Sequence, residues 1–348
     1  MKKDMMQSFE LFQPADVDTA VELMDRWGES GWAIAGGYDS LDWFKDRIKT
    51  PEAVIDLDGI DELRGIRETG GGIEIGPLAT LTEVERSPLI RQRFAVLSDA
   101  ARRVASPQIR NAATLGGNLC QDTRCWYYRF GLACYRAGGN ICYADTPVAM
   151  NREHAIFERN RCVAVSPSDT APALIALDAS LVIRNASGER VVPAEEFFMP
   201  ESTDITRMTV LEPGDLLTAV RIPTAWSGAR FYFEKVADRN TWDFPLVNVA
   251  SAMILDGSGK IEALRIACAG VQCTPRRLNT VEALVRGRSQ DEDTARLAGE
   301  AAVEGARPLN FNEFKIPLMQ NLVKRAVQNA GMGTPTTLTS GSRPSGGD

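Results

Sequence analysis

Four cysteines fall within 23 residues in the stretch 120-CQDTRCWYYRFGLACYRAGGNIC-142, and a fifth follows at Cys162. The chain has seven in 348 residues, and the remaining two, Cys268 and Cys273, sit in apolar, strand-like sequence. That odd count forms no small disulfide framework, and the start MKKDMMQSFELF lacks the apolar segment of a secretory signal. Clustered thiols in a reducing compartment favour metal binding or redox work over bridges. Cys125, Cys134, Cys142 and Cys162 are separated by 8, 7 and 19 residues, neither a ferredoxin spacing nor the paired C-x-x-C of a zinc ribbon. Spacing alone leaves two readings open: converging metal ligands, or scattered structural and free thiols. Arg124, Arg129, Arg136, Arg152 and Arg161 surround them and could offset the negative charge of an iron–sulfur centre. The sole histidine, His154, reads as a packing or surface residue, because one imidazole builds neither a histidine metal site nor a Ser-His-Asp system.

Two glycine-rich loops offer a second kind of chemistry. In 34-IAGGYDSL-41 a strand delivers Gly36 and Gly37 to a helix start, and 113-ATLGGN-118 repeats the design with Thr114 and Asn118 as side-chain donors. Glycine lets the main chain approach a pyrophosphate closely, and backbone amides neutralise it without a lysine cluster. Each loop alone reads equally well as a tight strand-to-helix turn, and neither fits the G-x-G-x-x-G fingerprint of nicotinamide enzymes. Asp169, in 166-SPSDTAP-172, is a candidate acceptor for sugar or ribityl hydroxyls or else the cap of the helix that follows. Lys235, in 231-FYFEKVADR-239, is a solvated strand residue or a cation near a flavin.

The elements that must position these groups follow from periodicity. Residues 1–57 read as a β-α-β unit: a helix over 17–27 capped by Asp16 or Asp18, a strand at 32–37, a helix near 41–48 and a strand at 53–58. A strand and a helix capped near Thr82 follow in 72–90, a helix spans 91–110, and 120–162 keeps no regular period. A helix at 171–179 leads into a strand pair over 180–198 that turns at Ser187–Gly188. The segments 216–223, 229–237, 246–256 and 261–271 suggest one small antiparallel sheet, with helices at 279–286, 291–304 and 315–329 after it. The Gly/Ser/Thr/Pro-rich tail, 331–348, reads as flexible. The net charge of -7 provides no basic stripe for nucleic acid, and no apolar run is long enough to span a bilayer. Cytoplasmic residence is the default expectation, with export alongside a partner's signal as the alternative.

Taken together, the motifs resemble the FAD-binding medium subunits of the molybdenum hydroxylases, the family of xanthine dehydrogenase, carbon monoxide dehydrogenase and bacterial aldehyde oxidoreductases. The resemblance covers roughly residues 7–330. It rests on I-A-G-G-x-(D/N)-x-L at 34–41, I-G-x-L-x-x-(L/N)-T-(E/D) at 75–83, R-N-x-A-T-x-G-G-N-L at 110–119, P-S-D-x-A at 167–171 and F-x-K-V-x-x-R at 233–239. It implies an α+β fold: a two-subdomain FAD-binding part, 1–57 and 58–205, then an antiparallel sheet with helices over 206–330. By position it implies FAD contacts at Ile34, Ala35, Gly36, Gly37, Tyr38, Asp39, Ser40, Leu41, Thr114, Gly117, Asn118, Asp169 and Lys235. Tyr38 departs from the small hydroxyl residue usual after Gly-Gly.

Within that family the pattern N-L-x-x-x-T-R-C, followed by three further cysteines, is similar to a branch with an extra [4Fe-4S] cluster in an insertion at about 120–165. The similarity implies Cys125, Cys134, Cys142 and Cys162 as its ligands and leaves Cys120 out. The implied function is electron transfer in a heterotrimeric aldehyde oxidase or dehydrogenase. The implied partners are a large molybdenum-cofactor subunit, a small [2Fe-2S] subunit and an external electron acceptor. The alternatives are the beta subunit of 4-hydroxybenzoyl-CoA reductase and, in another class, a zinc-stabilised scaffold without flavin.

Overall fold

Asp16 starts the first helix. Its carboxylate accepts a hydrogen bond from the Thr19 amide, and Val17, Ala20, Val21 and Met24 form the buried face of Val17–Trp27. The computed structural model describes residues 5–332, so most of the tail expected to be flexible lies outside the described residues. Three short parallel strands make the first sheet, in the order Glu10–Phe12, Ala53–Asp56, Gly31–Ile34. Ala53, Val54 and Ile55 are buried at its centre, as parallel strands covered on both faces require. The edge strand Glu10–Phe12 has only three residues, too few to display a period.

The second sheet is antiparallel, in the order Ile66–Thr69, Gly72–Ile75, Leu216–Pro223, Ser180–Asn185, Gly188–Pro193. This corrects the expectation that 216–223 belongs with the C-terminal strands. Ile73 and Ile75 pair with Ile222 and Val220, and Leu181 also faces Val220, so one apolar layer continues across the three strands. An apolar run names a buried strand but not its partners. A division at residue 205 therefore falls before a strand that still belongs to the second sheet.

The expected helix over 91–110 is broken into Pro88–Arg93, Ala95–Arg102 and Pro107–Arg110. Pro107 has no amide to donate and fits only a first turn, so Ser106 restarts the helix by capping the Ile109 amide. Thr80, not Thr82, caps Leu81–Arg86 in a reciprocal box with Glu83. Thr82 is instead hydrogen-bonded to the Asn111 side chain at 2.8 Å.

The third sheet is antiparallel, in the order Arg276–Arg277, Ile261–Ala269, Val247–Leu255, Arg230–Val236. Helices Glu292–Ala302 and Lys315–Gln328 pack on each other, and Lys315–Gln328 also packs on the sheet. The largest core joins the second sheet to the third through Phe94, Leu97, Leu174, Phe197, Val220, Phe233 and Ala250. Two smaller clusters anchor the irregular 120–165 region. One sets Tyr128 and Cys134 against Trp43, Phe44 and Val54, and the other sets Ala144, Ala155 and Val163 against Leu309. Among the described residues no helix is long and apolar enough to cross a membrane.

Phe94 is fully buried in the largest core, so Phe94→Ala removes a large apolar side chain that its neighbours cannot replace. Urea denaturation is expected to show a loss of about 3–5 kcal/mol.

Candidate functional site

The two glycine-rich loops meet main chain to main chain. A methyl group added to Gly36 would lie 2.2 Å from the carbonyl oxygen of Ala112, and one added to Gly116 would lie 2.7 Å from the Pro77 ring. Gly37 takes φ +77, in the left-handed region that favours glycine. Here the glycines are steric requirements. The contact opens a cleft of about 880 Å3 whose walls are residues 31–40, residues 113–117 and the loop 204–217. That volume suits a large cofactor. Ile34, Ala35, Gly36, Gly37, Tyr38, Asp39, Ser40, Thr114 and Gly117 line it.

The other expected contacts stand behind that lining. Leu41 packs on Gly37, closing the turn. Asn118 is buried, and its side-chain oxygen accepts from the Ser168 and Thr170 hydroxyls, each at 2.7 Å. Asp169 and Lys235 are both buried and pair with each other, Nζ to carboxylate, at 2.6 Å. Asn248 donates to the second oxygen of Asp169 at 3.0 Å, and Lys235 also donates to the Arg103 carbonyl. Burial pushes the Asp169 carboxyl above its usual range, against the pull of Lys235 and Asn248. Asp169 does not cap its helix; Ser168 does, by accepting from the Ala171 amide. Nor is Lys235 a solvated strand residue.

Asp39 links the cleft to the cysteine region. Its carboxylate accepts from the Trp43 indole at 3.1 Å and the Asp122 amide at 3.2 Å, and it pairs with Arg124 at 2.6 Å. Burial raises the Asp39 carboxyl, with Arg124 opposing. Ser40 accepts from the Trp32 indole.

Beyond Arg124, the thiols of Cys125, Cys134, Cys142 and Cys162 line one small cavity, together with Arg136 and Tyr127, Tyr128 and Tyr143. Cys120 instead lines the larger cleft, and Cys268 is buried in the third sheet. Among the described residues no three such ligands close on the geometry of a single metal ion. The four cysteines share the lining of that one small cavity. Arg136 is 4% exposed; it donates to Cys273 Sγ at 3.4 Å, its Nη1 pairs with the Asp122 carboxylate at 3.9 Å, and its Nε has no hydrogen-bond partner. A buried guanidinium beside four cysteines, with one N–H left without a hydrogen-bond partner, suits an anionic group. Burial pushes the Cys125 thiol up to about 12, so its thiolate needs a positive partner.

His154 is not at the surface. It is 3% exposed and its Nε2 lies 3.3 Å from Cys125 Sγ. Burial pushes its pKa down to about 4, so the ring is neutral at physiological pH. No local signal marks this contact, since the two residues stand 29 apart in sequence. Lys49 and Arg207, which line the cleft, also escaped the reading of the motifs, and Cys273, read only as part of an apolar strand, instead accepts a hydrogen bond from Arg136.

Comparison with known proteins now decides the family. Residues 7–225 match the family described as FAD binding domain in molybdopterin dehydrogenase, and residues 232–330 match the CO dehydrogenase flavoprotein C-terminal domain. The chain belongs to this family of flavoprotein subunits. It is 34% identical to the aldehyde oxidoreductase FAD-binding subunit of Escherichia coli over 302 residues, covering 85% of this chain and 90% of the relative. It is 29% identical to the carbon monoxide dehydrogenase medium chain of Hydrogenophaga pseudoflava over 327 residues, 92% of this chain and 96% of that one. A solved structure of the carbon monoxide dehydrogenase of Hydrogenophaga pseudoflava superposes with a TM-score of 0.74 at 27% identity, covering 94% of this chain and 98% of the other.

The protein is therefore an FAD-binding medium subunit of the molybdenum hydroxylases, an oxidoreductase subunit with the α+β fold of the carbon monoxide dehydrogenase medium chain. A scaffold without flavin is excluded by the FAD-binding domain itself.

Two substitutions test the geometry of this flavoprotein subunit. Gly36→Ala forces the loops apart at Ala112, and FAD retention, read by fluorescence of released flavin, is expected to fall on the order of tenfold or more, a loss of about 1.4 kcal/mol per factor of ten. Lys235→Met leaves the Asp169 charge buried without its partner and is expected to cost about 3–5 kcal/mol in urea denaturation, with Asp169→Asn restoring part of it.

Proposed function

We propose that this chain is the electron-transferring flavin subunit of a heterotrimeric molybdenum hydroxylase acting on aldehydes, and that it holds a [4Fe-4S] cluster on Cys125, Cys134, Cys142 and Cys162. Its partners on this reading are a large molybdenum-cofactor subunit and a small [2Fe-2S] subunit, with an external acceptor for the electrons. The aldehyde assignment is supported by the 34% identity to the aldehyde oxidoreductase subunit. The cluster is supported by one observation above the rest: four cysteines from separate turns of an irregular segment line a single cavity beside the buried Arg136.

The residues divide the work by chemistry. Main-chain amides around Gly36–Ser40 and Thr114–Gly117 hold the diphosphate of FAD. The lining supplies few free cations, since Lys49 pairs with Asp122 at 3.3 Å and Arg207 with Asp204 at 2.8 Å. Asn118 and the Asp169–Lys235 pair hold the second loop and the flavin side of the site in place from behind. Bound FAD would supply the redox chemistry between the partner centres and the acceptor. Asp39 ties the loop at 36–40 to Arg124, the residue before the first cysteine ligand, and so fixes one redox site relative to the other.

The cluster would serve as a one-electron relay toward the acceptor or as a staple for the insertion. On the relay reading, burial by the surrounding aromatic rings keeps water from the thiolates and sets the cluster's potential.

The native complex tests this as one assembly. Flavin, iron, acid-labile sulfide and molybdenum are expected to be released together, and aldehydes are expected to reduce its flavin. A complex that reduces a hydroxybenzoyl thioester and ignores aldehydes would overturn the aldehyde reading. Cys134→Ser is expected to remove iron and its visible absorbance while FAD stays bound; unchanged iron content would remove Cys134 from the ligand set.

A further inference from the structure

His154 has no role in the flavin site, yet it is buried against one of the four cysteines. We propose that His154 is a positioning residue for the iron–sulfur centre: its Nε2–H donates a hydrogen bond to the Cys125 sulfur and thereby raises the reduction potential of the cluster. The inference rests on the cluster reading above and adds to it a named residue and a direction.

The ring's orientation carries the argument. Nε2 lies 3.3 Å from Cys125 Sγ, within reach of an N–H···S hydrogen bond. Nδ1 is buried without a partner, so a proton placed there would be an unpaired donor shut away from water. The single N–H of a neutral ring therefore belongs on Nε2, facing the sulfur, and a charged ring would donate from the same atom.

The main chain of His154 is held in place as firmly as its ring. Its carbonyl accepts from Lys315 Nζ at 3.0 Å and from the Asn312 amide at 2.9 Å. Lys315, fully buried, spends its other two donors on the carbonyls of Glu153 and Gly270, at 2.8 and 2.7 Å. The C-terminal helix Lys315–Gln328 thus contributes a buried amine that fixes the main chain carrying the imidazole. A hydrogen bond to a ligand sulfur favours the form of the cluster that carries more negative charge, which is the reduced one. Taking the donor away should make the cluster harder to reduce.

The experiment uses the native complex and a redox titration of the iron–sulfur signal by electron paramagnetic resonance, with iron, sulfide and flavin measured alongside. His154→Phe and His154→Met remove the donor, whereas His154→Gln keeps an N–H at similar reach. The expected result is full iron and FAD in all three. In the Phe and Met variants the reduced-to-oxidised ratio at a fixed potential falls about tenfold, equivalent to ~59 mV for one electron, and the Gln variant stays near wild type. A cluster in the Met or Phe variant that titrates as in wild type overturns the inference. So does a Gln variant shifted as far as the others, because the effect would then come from packing alone, and so does failure of all three to assemble iron, which would make His154 a folding or assembly residue. A wild-type complex without acid-labile sulfide fails differently: it removes the cluster reading itself, and this inference with it.

Discussion

The main chain at Gly36 runs so close to Ala112 that even a methyl group would stand 2.2 Å from its carbonyl oxygen. The geometry of the candidate cofactor cleft depends on this approach. It brings the turn after a parallel strand of the first sheet against the loop that precedes the Leu115–Cys120 helix, two pieces of chain with separate cores behind them. The cleft is the space left beside that contact, and the two cations that line it, Lys49 and Arg207, are paired with Asp122 and Asp204. An acidic protein can hold an anionic cofactor through its main chain because amide dipoles, unlike lysines, do not have to be desolvated as full charges.

The side chains expected to touch the cofactor mostly do something one layer further out. Asp39 is committed to Arg124, Asn118 to Ser168 and Thr170, and Asp169 to Lys235 and Asn248. The Asp39 and Asn118 bonds hold stretches of chain that line the cleft or adjoin its lining. Buried polar groups with complete partners are costly to rearrange, which keeps the loops in one geometry. The Asp169–Lys235 pair also reaches from the helix Thr170–Ala176 to the strand Arg230–Val236, across the seam between the second and third sheets.

The irregular region 120–165 shows the same economy. It has little secondary structure of its own and borrows its order from both neighbours: aromatic packing on Trp43 and Phe44, and hydrogen bonds from Asn312 and Lys315. A segment with so few ladder hydrogen bonds needs either such outside contacts or an internal crosslink to overcome its conformational entropy.

Much of this was legible in the sequence, and the reason differs from residue to residue. Gly36 and Gly116 were readable because the chain passes too close to Ala112 and Pro77 for a side chain, and Gly37 because its turn takes the left-handed φ that favours glycine. The helix Val17–Trp27 was readable from its cap and apolar stripe, and the four cysteines were readable as a group. Local pattern alone could not decide that Leu216–Pro223 completes the second sheet, that Asp169 and Lys235 spend their charges on each other, or that His154 faces Cys125. Those facts belong to pairs of residues far apart in the chain. Periodicity and composition record how a residue meets its near neighbours, whereas partnership across a core is settled only when the whole apolar surface is buried at once.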